Sequence, residues 1–556
     1  MSAQREATYI SDLTCCTPAA ALASAPRKFH WQTIPYEAEG VAGTMLVAGV
    51  ECNAPILTLP LELKGWHAIS VGQWTHWVDS MIKLKLRGDP CFTPIAHSRP
   101  GWQESNYFAN IQEDFWKFAD LTDQDLFIAQ MSTGVPRRAG IAYLKLEPLN
   151  DAEVEKIQRD QERSENKRLI AYNDAWSYIY CRAATTREEI LEEVEPFRNT
   201  DFQKLLWGTG KGSRTVYLSA IGELAARDGI DDFQRVGDRH AAESFRTLRQ
   251  KGIDPLATVI EYAHEIGLEL HGSYRVGGWI SPPPEDEENE FYHQHPQWRC
   301  VDRDGRPITR MSYAFAGVSD FVISILREVA QRGADGVNLA FVRGLPCVLY
   351  EQPLVDGFQQ QYGQDPRELP EDDPGWLAYR ATWITKFMRA LRQEMDQVGQ
   401  QQGRRVQVSA YVLNDVSWCL SFGLDVQTWA REGLVDFIIA NPWQESLPLD
   451  VAAFVELARG TACQVYAEML PRQMAPEVFR KRALDNYQTG VDGLAFWDAD
   501  TENRLSYKDQ WSMLRRLGHR EELADWAPDE WPSYRQIPLY SLGGHILDRY
   551  SPYWAS

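Results

Sequence analysis

The chain has 556 residues, 44% hydrophobic and 24% charged, with a formal charge of −21 at pH 7. A length of this order predicts two or more domains, and no apolar run approaches the roughly 18 residues of a membrane span. The acidic balance and the lack of clustered Lys and Arg exclude a polyanionic partner such as nucleic acid. A neutral ligand fits this balance better, with no nucleic acid and no membrane expected as partners, and a homo-oligomer is compatible with the sequence.

The nine Cys are scattered without CxxC spacing and read as reduced thiols rather than a disulfide or zinc framework. The first residues lack a basic and apolar leader, so a cytoplasmic location is expected. With no HExxH spacing, neither a metal nor a cofactor is expected. Twenty Trp and 23 Tyr supply flat rings, which suit a large core and equally suit stacking against sugar rings.

In chain order, residues 1–27 read as a tail, and 28–150 as an antiparallel β-sandwich built from short β segments such as GTMLVAGVE (43–51) and WHAISVGQW (66–74). This domain is expected to bind glycan or to pack against the next one. The charged stretch 151–167 reads as a linker or surface helix. From 168 to 520 short apolar runs alternate with amphipathic helices, and 521–556 is left as a carboxyl-terminal extension.

Eight runs are candidate strands: 168–174, 202–208, 268–274, 336–342, 406–412, 434–443, 463–469 and 491–500. Between them lie helical stripes at 319–332, with Ser319 as a candidate cap, and at 380–399. Eight strands alternating with helices predict a (β/α)8 TIM barrel, preferred over a doubly wound open sheet.

A barrel gathers its chemistry at the carboxyl ends of its strands. Those ends bring Asp174 and Trp176; His271, Tyr274 and Arg275; Arg343, with Glu351 on the following loop; Tyr411, Asn414 and Asp415; Asn441 and Trp443; Glu468 and Arg472; and Trp497, Asp498 and Asp500. Glycosidic hydrolysis needs two carboxyl groups, about 5 to 5.5 Å apart for retention and about 6.5 to 9.5 Å for inversion. Glu468, a carboxyl inside the apolar run VYAEM, is the expected nucleophile or base, and Glu351 the expected acid. Asp174, Trp176, His271, Tyr274, Arg275, Arg343, Asn414, Trp497 and Asp498 are the expected substrate-binding residues. The loop 277–310 reads as a lid or subsite wall.

The segments DPLATVIEYAHEIGLELHGSYR (254–275), HPQWRCVDRDG (295–305), MSYAFAGVSDFVISILREVAQRGADGVNLAFVRG (311–344) and LDVQTWAREGLVDFIIANP (424–442) resemble the glycosyl-hydrolase-like family related to glycoside hydrolase family 10. The resemblance implies a TIM-barrel glycosidase behind an amino-terminal β-sandwich. It also implies acids in the fourth strand, where this chain has Asn338 and Ala340, so a strand-four nucleophile does not carry over. The functions this leaves are a glycoside hydrolase, a glycan-binding barrel without catalysis, and a sugar lyase or isomerase using Tyr274 or His271 as base.

Overall fold

The computed structural model describes residues 6–49, 52–74, 80–97, 109–131, 138–225, 233, 235–279, 289–442, 448–471, 474, 476–499, 511–525 and 535–547. Its amino-terminal part is antiparallel for the most part: β1 (Trp31–Ala38), β2 (Val41–Ala48), β3 (Leu57–Pro60), β4 (Trp66–Gln73), β5 (Ser80–Leu86), β6 (Thr93–His97), β7 (Asn110–Asp120), β8 (Asp125–Gln130) and β9 (Ala139–Pro148). Strands β3, β8, β5 and β6 form one four-stranded sheet.

The larger sheet contains a run of pairings, β1–β2–β9–β4–β7, that period-2 alternation assigns to two apolar clusters. Leu46, Val71 and Leu144 pack with Leu57, Ile82 and Leu126 of the smaller sheet. Their neighbours Met45, Val47 and Tyr143 belong to a second cluster with Leu539. Leu539 comes from the far end of the chain: the strand Arg535–Leu542 pairs with β7 on one side and β1 on the other, so the pairings close into a ring. The carboxyl-terminal segment is thus part of the amino-terminal sheet.

The stretch after β9 is a helix, Asp151–Glu162, that buries no residue. Asn150 and Glu153 form its capping box, satisfying the first free N–H groups of the turn. Asp160 of this helix and Asp201 both bond His519. Burial disfavours the charged imidazole, but the two carboxylates outweigh it and raise the His519 pKa to about 9.

All eight expected barrel strands form: β10 (Leu169–Asn173), β11 (Phe202–Lys211), β12 (Glu269–Arg275), β13 (Gly336–Ala340), β14 (Gln407–Val412), β15 (Phe437–Ala440), β16 (Gln464–Glu468) and β17 (Gly493–Phe496). Each pairs in parallel with the next, and β17 returns to β10, closing the barrel. The helical stripe expected at 319–332 runs Ala316–Gln331, so Ser319 lies inside the helix rather than capping it, and its hydroxyl bonds Tyr313 O instead. The stripe at 380–399 belongs to the long helix Pro374–Gln402, capped by Asp373. Among the described residues no helix is long and apolar enough to cross a membrane.

The barrel interior is layered, as side chains of alternate residues point inward. At the amino-terminal end His271, Lys204, Phe437 and Tyr466 meet, with ring centroids of His271 and Phe437 5.4 Å apart. Gly336 makes room for the imidazole, since a Cβ there would lie 2.4 Å from His271 Nδ1. In the next layer Ser273 donates to Asn338 Oδ1 at 2.8 Å and Asn338 donates to Ser409 at 2.9 Å. Asn338, where the resemblance implied an acid, is therefore a neutral bridge across three strands. A charge there would need a partner that a serine hydroxyl does not supply.

Candidate functional site at the carboxyl ends of the barrel strands

The upper layer is aromatic and charged. Tyr172 lies flat on Trp497, ring centroids 3.8 Å apart, and Tyr411 meets both rings edge-on. The guanidinium of Arg343 sits 5.3 Å from the Trp497 ring centroid. From β12, Arg275 donates to the Tyr172 hydroxyl at 3.2 Å and to Asp174 at 3.5 Å.

Asp174 is placed by the turn that ends β10. Its Oδ1 accepts the N–H groups of Trp176 and Ser177, and its Oδ2 accepts the Ser177 hydroxyl, which starts the helix Ser177–Arg182. The turn packs tightly on β11, because a Cβ at Gly208 would lie 2.3 Å from Asp174 O. Trp176, Asp174, Tyr172, Ser273, Arg275, Lys211 and Arg214 line a pocket of about 80 Å³.

Glu468 ends β16 beside this layer and is 2% exposed. One carboxyl oxygen accepts the N–H of Trp497 at 2.7 Å and the other faces Asn441 Nδ2 at 3.4 Å. Desolvation raises its pKa to about 8, against the opposing pull of these bonds, the Tyr411 hydroxyl and the Met469 N–H. Burial thus favours the protonated form of Glu468.

Glu351 is elsewhere. It stands at the start of the helix Gln352–Tyr362, fully buried, and its carboxyl accepts the N–H groups of Leu349 at 2.9 Å and Val301 at 3.2 Å. Burial raises its pKa, and those bonds oppose the rise. Val301 belongs to the hairpin Arg299–Val301 with Pro307–Met311, inside the loop expected to be a lid. That part of the loop is pinned, with Tyr350 N–H bonding Val301 O at 2.9 Å. Phe291, Trp298 and Phe321 pack together on the same side. Residues 280–288 of the loop lie outside the described residues, as do Trp443, Arg472 and Asp500.

Two further expected binding residues do not reach the pocket. His271 is in the opposite end layer, where desolvation lowers its pKa, with Glu269 at 3.5 Å. Tyr274 faces outward between its inward neighbours Ser273 and Arg275, and its hydroxyl donates to Gly212 O at 2.8 Å. Neither is placed to abstract a proton from a sugar in the pocket. Asn414 follows β14 and binds the loop carbonyl of Pro448 at 3.1 Å. Reasoning from the strand ends missed Tyr172, Lys211 and Arg214. Tyr172 was legible as the residue two before Asp174, and Lys211 as the end of a strand that runs three residues past 208.

These positions invite comparison with known proteins. Residues 234–470 match the family model Glycosyl hydrolase-like 10. The matched segment spans β12 to β16, and so includes Arg275, Arg343 and Glu468. No curated protein matches the chain. Among solved structures it is similar to an α-galactosidase from Thermus thermophilus, at 12% identity over 85% of this chain and 94% of that one, TM-score 0.34. A glycoside hydrolase family 18 N-acetylglucosaminidase from Paenibacillus barengoltzii is 13% identical over 61% of this chain and 98% of that one, TM-score 0.32. A GH20 exo-β-N-acetylglucosaminidase from Vibrio harveyi is 11% identical over 70% and 57%, TM-score 0.36. These superpositions are loose, and the barrel described above rests on its own strand pairing.

Proposed function

We propose that the barrel hydrolyses an O-glycosidic bond at its carboxyl-terminal face, with Glu468 as the proton donor. The observation that carries this reading is a carboxyl group at a barrel strand end, between Asn441 and Trp497 and beside the wall of Tyr172, Tyr411 and Trp497, whose proton affinity burial raises. A leaving glycosidic oxygen needs such a group, because an acid with an ordinary carboxyl pKa has lost its proton at neutral pH. The match to a glycosyl hydrolase-like family supports a carbohydrate substrate.

Asp498 is the proposed second carboxylate. It directly follows Trp497, whose N–H holds Glu468, and its charge acts on Tyr172 and Arg275 at the pocket. Glu351 has no part in this reading, since it stands at the start of the helix Gln352–Tyr362, bonded to the hairpin, rather than at a barrel strand end. Tyr172, Trp176 and Trp497 supply the stacking surfaces, and Arg343 positions hydroxyl groups. The two-sheet amino-terminal part acts as a β-sandwich module that packs against the barrel, through Lys83 with Glu192 at 2.6 Å and Arg515 with the Trp116 carbonyl at 3.3 Å.

Incubating the protein with a broad glycan panel and reading products by mass spectrometry tests the proposal. Addition of water across a glycosidic bond, abolished in Glu468→Gln, is the expected outcome; full turnover by that variant would overturn the assignment. A second reading, a barrel that binds glycan without cleaving it, is favoured by the closure of Glu468, which is 2% exposed with both oxygens engaged. Binding in calorimetry with no product from any glycan would select it.

A further inference from the structure

We propose that Lys83 of the smaller amino-terminal sheet is a positioning residue for the barrel mouth, holding the turn that carries Asp174 and Trp176 through a buried chain of paired charges. Its consequence for substrate rests on the reading of that mouth as a glycan site.

Lys83 lies in the middle of β5, between Pro94 of β6 and Ala129 of β8. Its neighbours Ile82 and Leu84 belong to the core between the two amino-terminal sheets, so period-2 alternation turns Lys83 outward. There it meets the barrel, where its ammonium pairs at 2.6 Å with Glu192, a carboxylate 2% exposed.

The bonds do not stop at Glu192. Its second oxygen accepts Arg182 at 2.9 Å, and Arg182 also pairs with Glu193, which is fully buried. The free end of that carboxylate, Oε2, accepts the side-chain amide of Asn173 at 3.1 Å. Asn173 is the last residue of β10, and its Oδ1 takes the N–H of Ala175 at 2.8 Å.

Ala175 has φ 57°, a left-handed conformation that a residue with a Cβ keeps only where its surroundings hold it. Asp174 and Trp176, the two pocket residues, flank it. Arg182 in turn ends the short helix Ser177–Arg182 that starts from this turn, so the loop is gripped at both ends.

Lys83 and Arg182 are the two cations on Glu192. Without Lys83, Arg182 alone answers Glu192, and a buried carboxylate that loses a partner is costly enough to move its neighbours. Arg182 is then drawn towards Glu192 and away from Glu193, and the hold on Asn173 and Ala175 loosens with it. The contact of Arg515 with the Trp116 carbonyl also joins the two parts of the chain, but it leads to no residue of the pocket.

Fluorine NMR on the full chain labelled with 5-fluorotryptophan tests this, the Trp176 signal being identified by its loss in Trp176→Phe. Lys83→Met is expected to shift or broaden that signal, while Lys83→Arg, which keeps the charge, and Arg515→Met leave it in place. The double variant Lys83→Met with Glu192→Gln should bring it back, because Arg182 then belongs to Glu193 alone. On a glycoside that the protein cleaves, Lys83→Met should lower kcat/KM about tenfold or more, as small misplacements of binding groups do, chiefly through KM, and Lys83→Arg should restore it.

An unmoved Trp176 signal in folded Lys83→Met would overturn the proposal. So would an equal shift in Arg515→Met, which would mean general loosening of the interface, or a shift in Lys83→Arg as large as in Lys83→Met. If Lys83→Met does not fold, the double variant decides: a folded chain with the parent Trp176 signal upholds the relay, and failure to fold overturns it. Absence of cleavage of any glycan would sink hydrolysis alone, since the fluorine signal still reports the turn; cleavage by Lys83→Met at the parent KM would sink this inference alone.

Discussion

Glu468 and Glu351 are both buried glutamates whose proton affinity is raised by desolvation, and they have opposite surroundings. Glu351 is clasped by the backbone N–H groups of a loop and a hairpin, so its carboxyl organises chain that would otherwise carry unpaired donors. Glu468 stands at a barrel strand end among Tyr411, Asn441 and Trp497, on the face where barrels do chemistry. Burial and a raised pKa do not distinguish a structural carboxyl from a reactive one. What the carboxyl is bonded to, and which end of the barrel it faces, does.

The sharpest way to break that comparison is to exchange their fates. Glu468→Gln is expected to lower turnover on a cleaved glycoside by roughly 10²- to 10⁴-fold, the range for loss of a general acid, while Glu351→Gln keeps turnover within a few-fold. Comparable losses in both variants would mean that Glu351 takes part in the chemistry after all.

The pH dependence of stability should separate them next. Because the folded-state pKa of Glu468 is raised to about 8 from an ordinary 4.5, its contribution is fully present below about pH 4.5 and is lost as pH rises towards 8. The stability of Glu468→Gln relative to the parent should therefore grow across this window, by an amount on the order of 3 to 4 kcal/mol. Denaturant titrations at pH 5 and pH 9 check it; an unchanged difference would remove the protonated carboxyl on which the proposed acid depends.

Smaller effects follow at Glu351 and Asn338. Glu351→Ala leaves the N–H groups of Leu349 and Val301 buried without their acceptor, so a loss of about 2 to 3 kcal/mol is expected in thermal or urea unfolding. Asn338→Ala breaks the bridge between Ser273 and Ser409 and should cost about 1 to 2 kcal/mol in the same assay. If either substitution proved neutral, the bonds seen there would not be stabilising.

Much of the barrel was legible because each strand is a short apolar run bounded by helical periodicity, and all eight runs became strands. Glu468 stood out because a carboxyl is costly inside such a run. The direction of Tyr274 was not legible, for a related reason. Parallel barrel strands are buried on both faces, so β12 has no apolar–polar alternation to say which residues point into the lumen. Closure decides it, turning Ser273 and Arg275 inward and Tyr274 outward.

The division between chain and fold is therefore a division between local and distant information. Strand count, parallel pairing, the Asp373 and Asn150 helix caps and the oddity of Glu468 follow from residues near one another in sequence. The capture of Glu351 by a hairpin 50 residues away, the Tyr172–Trp497 stack and the strand Arg535–Leu542 closing the amino-terminal ring depend on contacts between distant segments. Only tertiary structure supplies those, because hydrogen-bonding partners and ring stacks are chosen by where the backbone brings them, and local pattern carries no record of that choice.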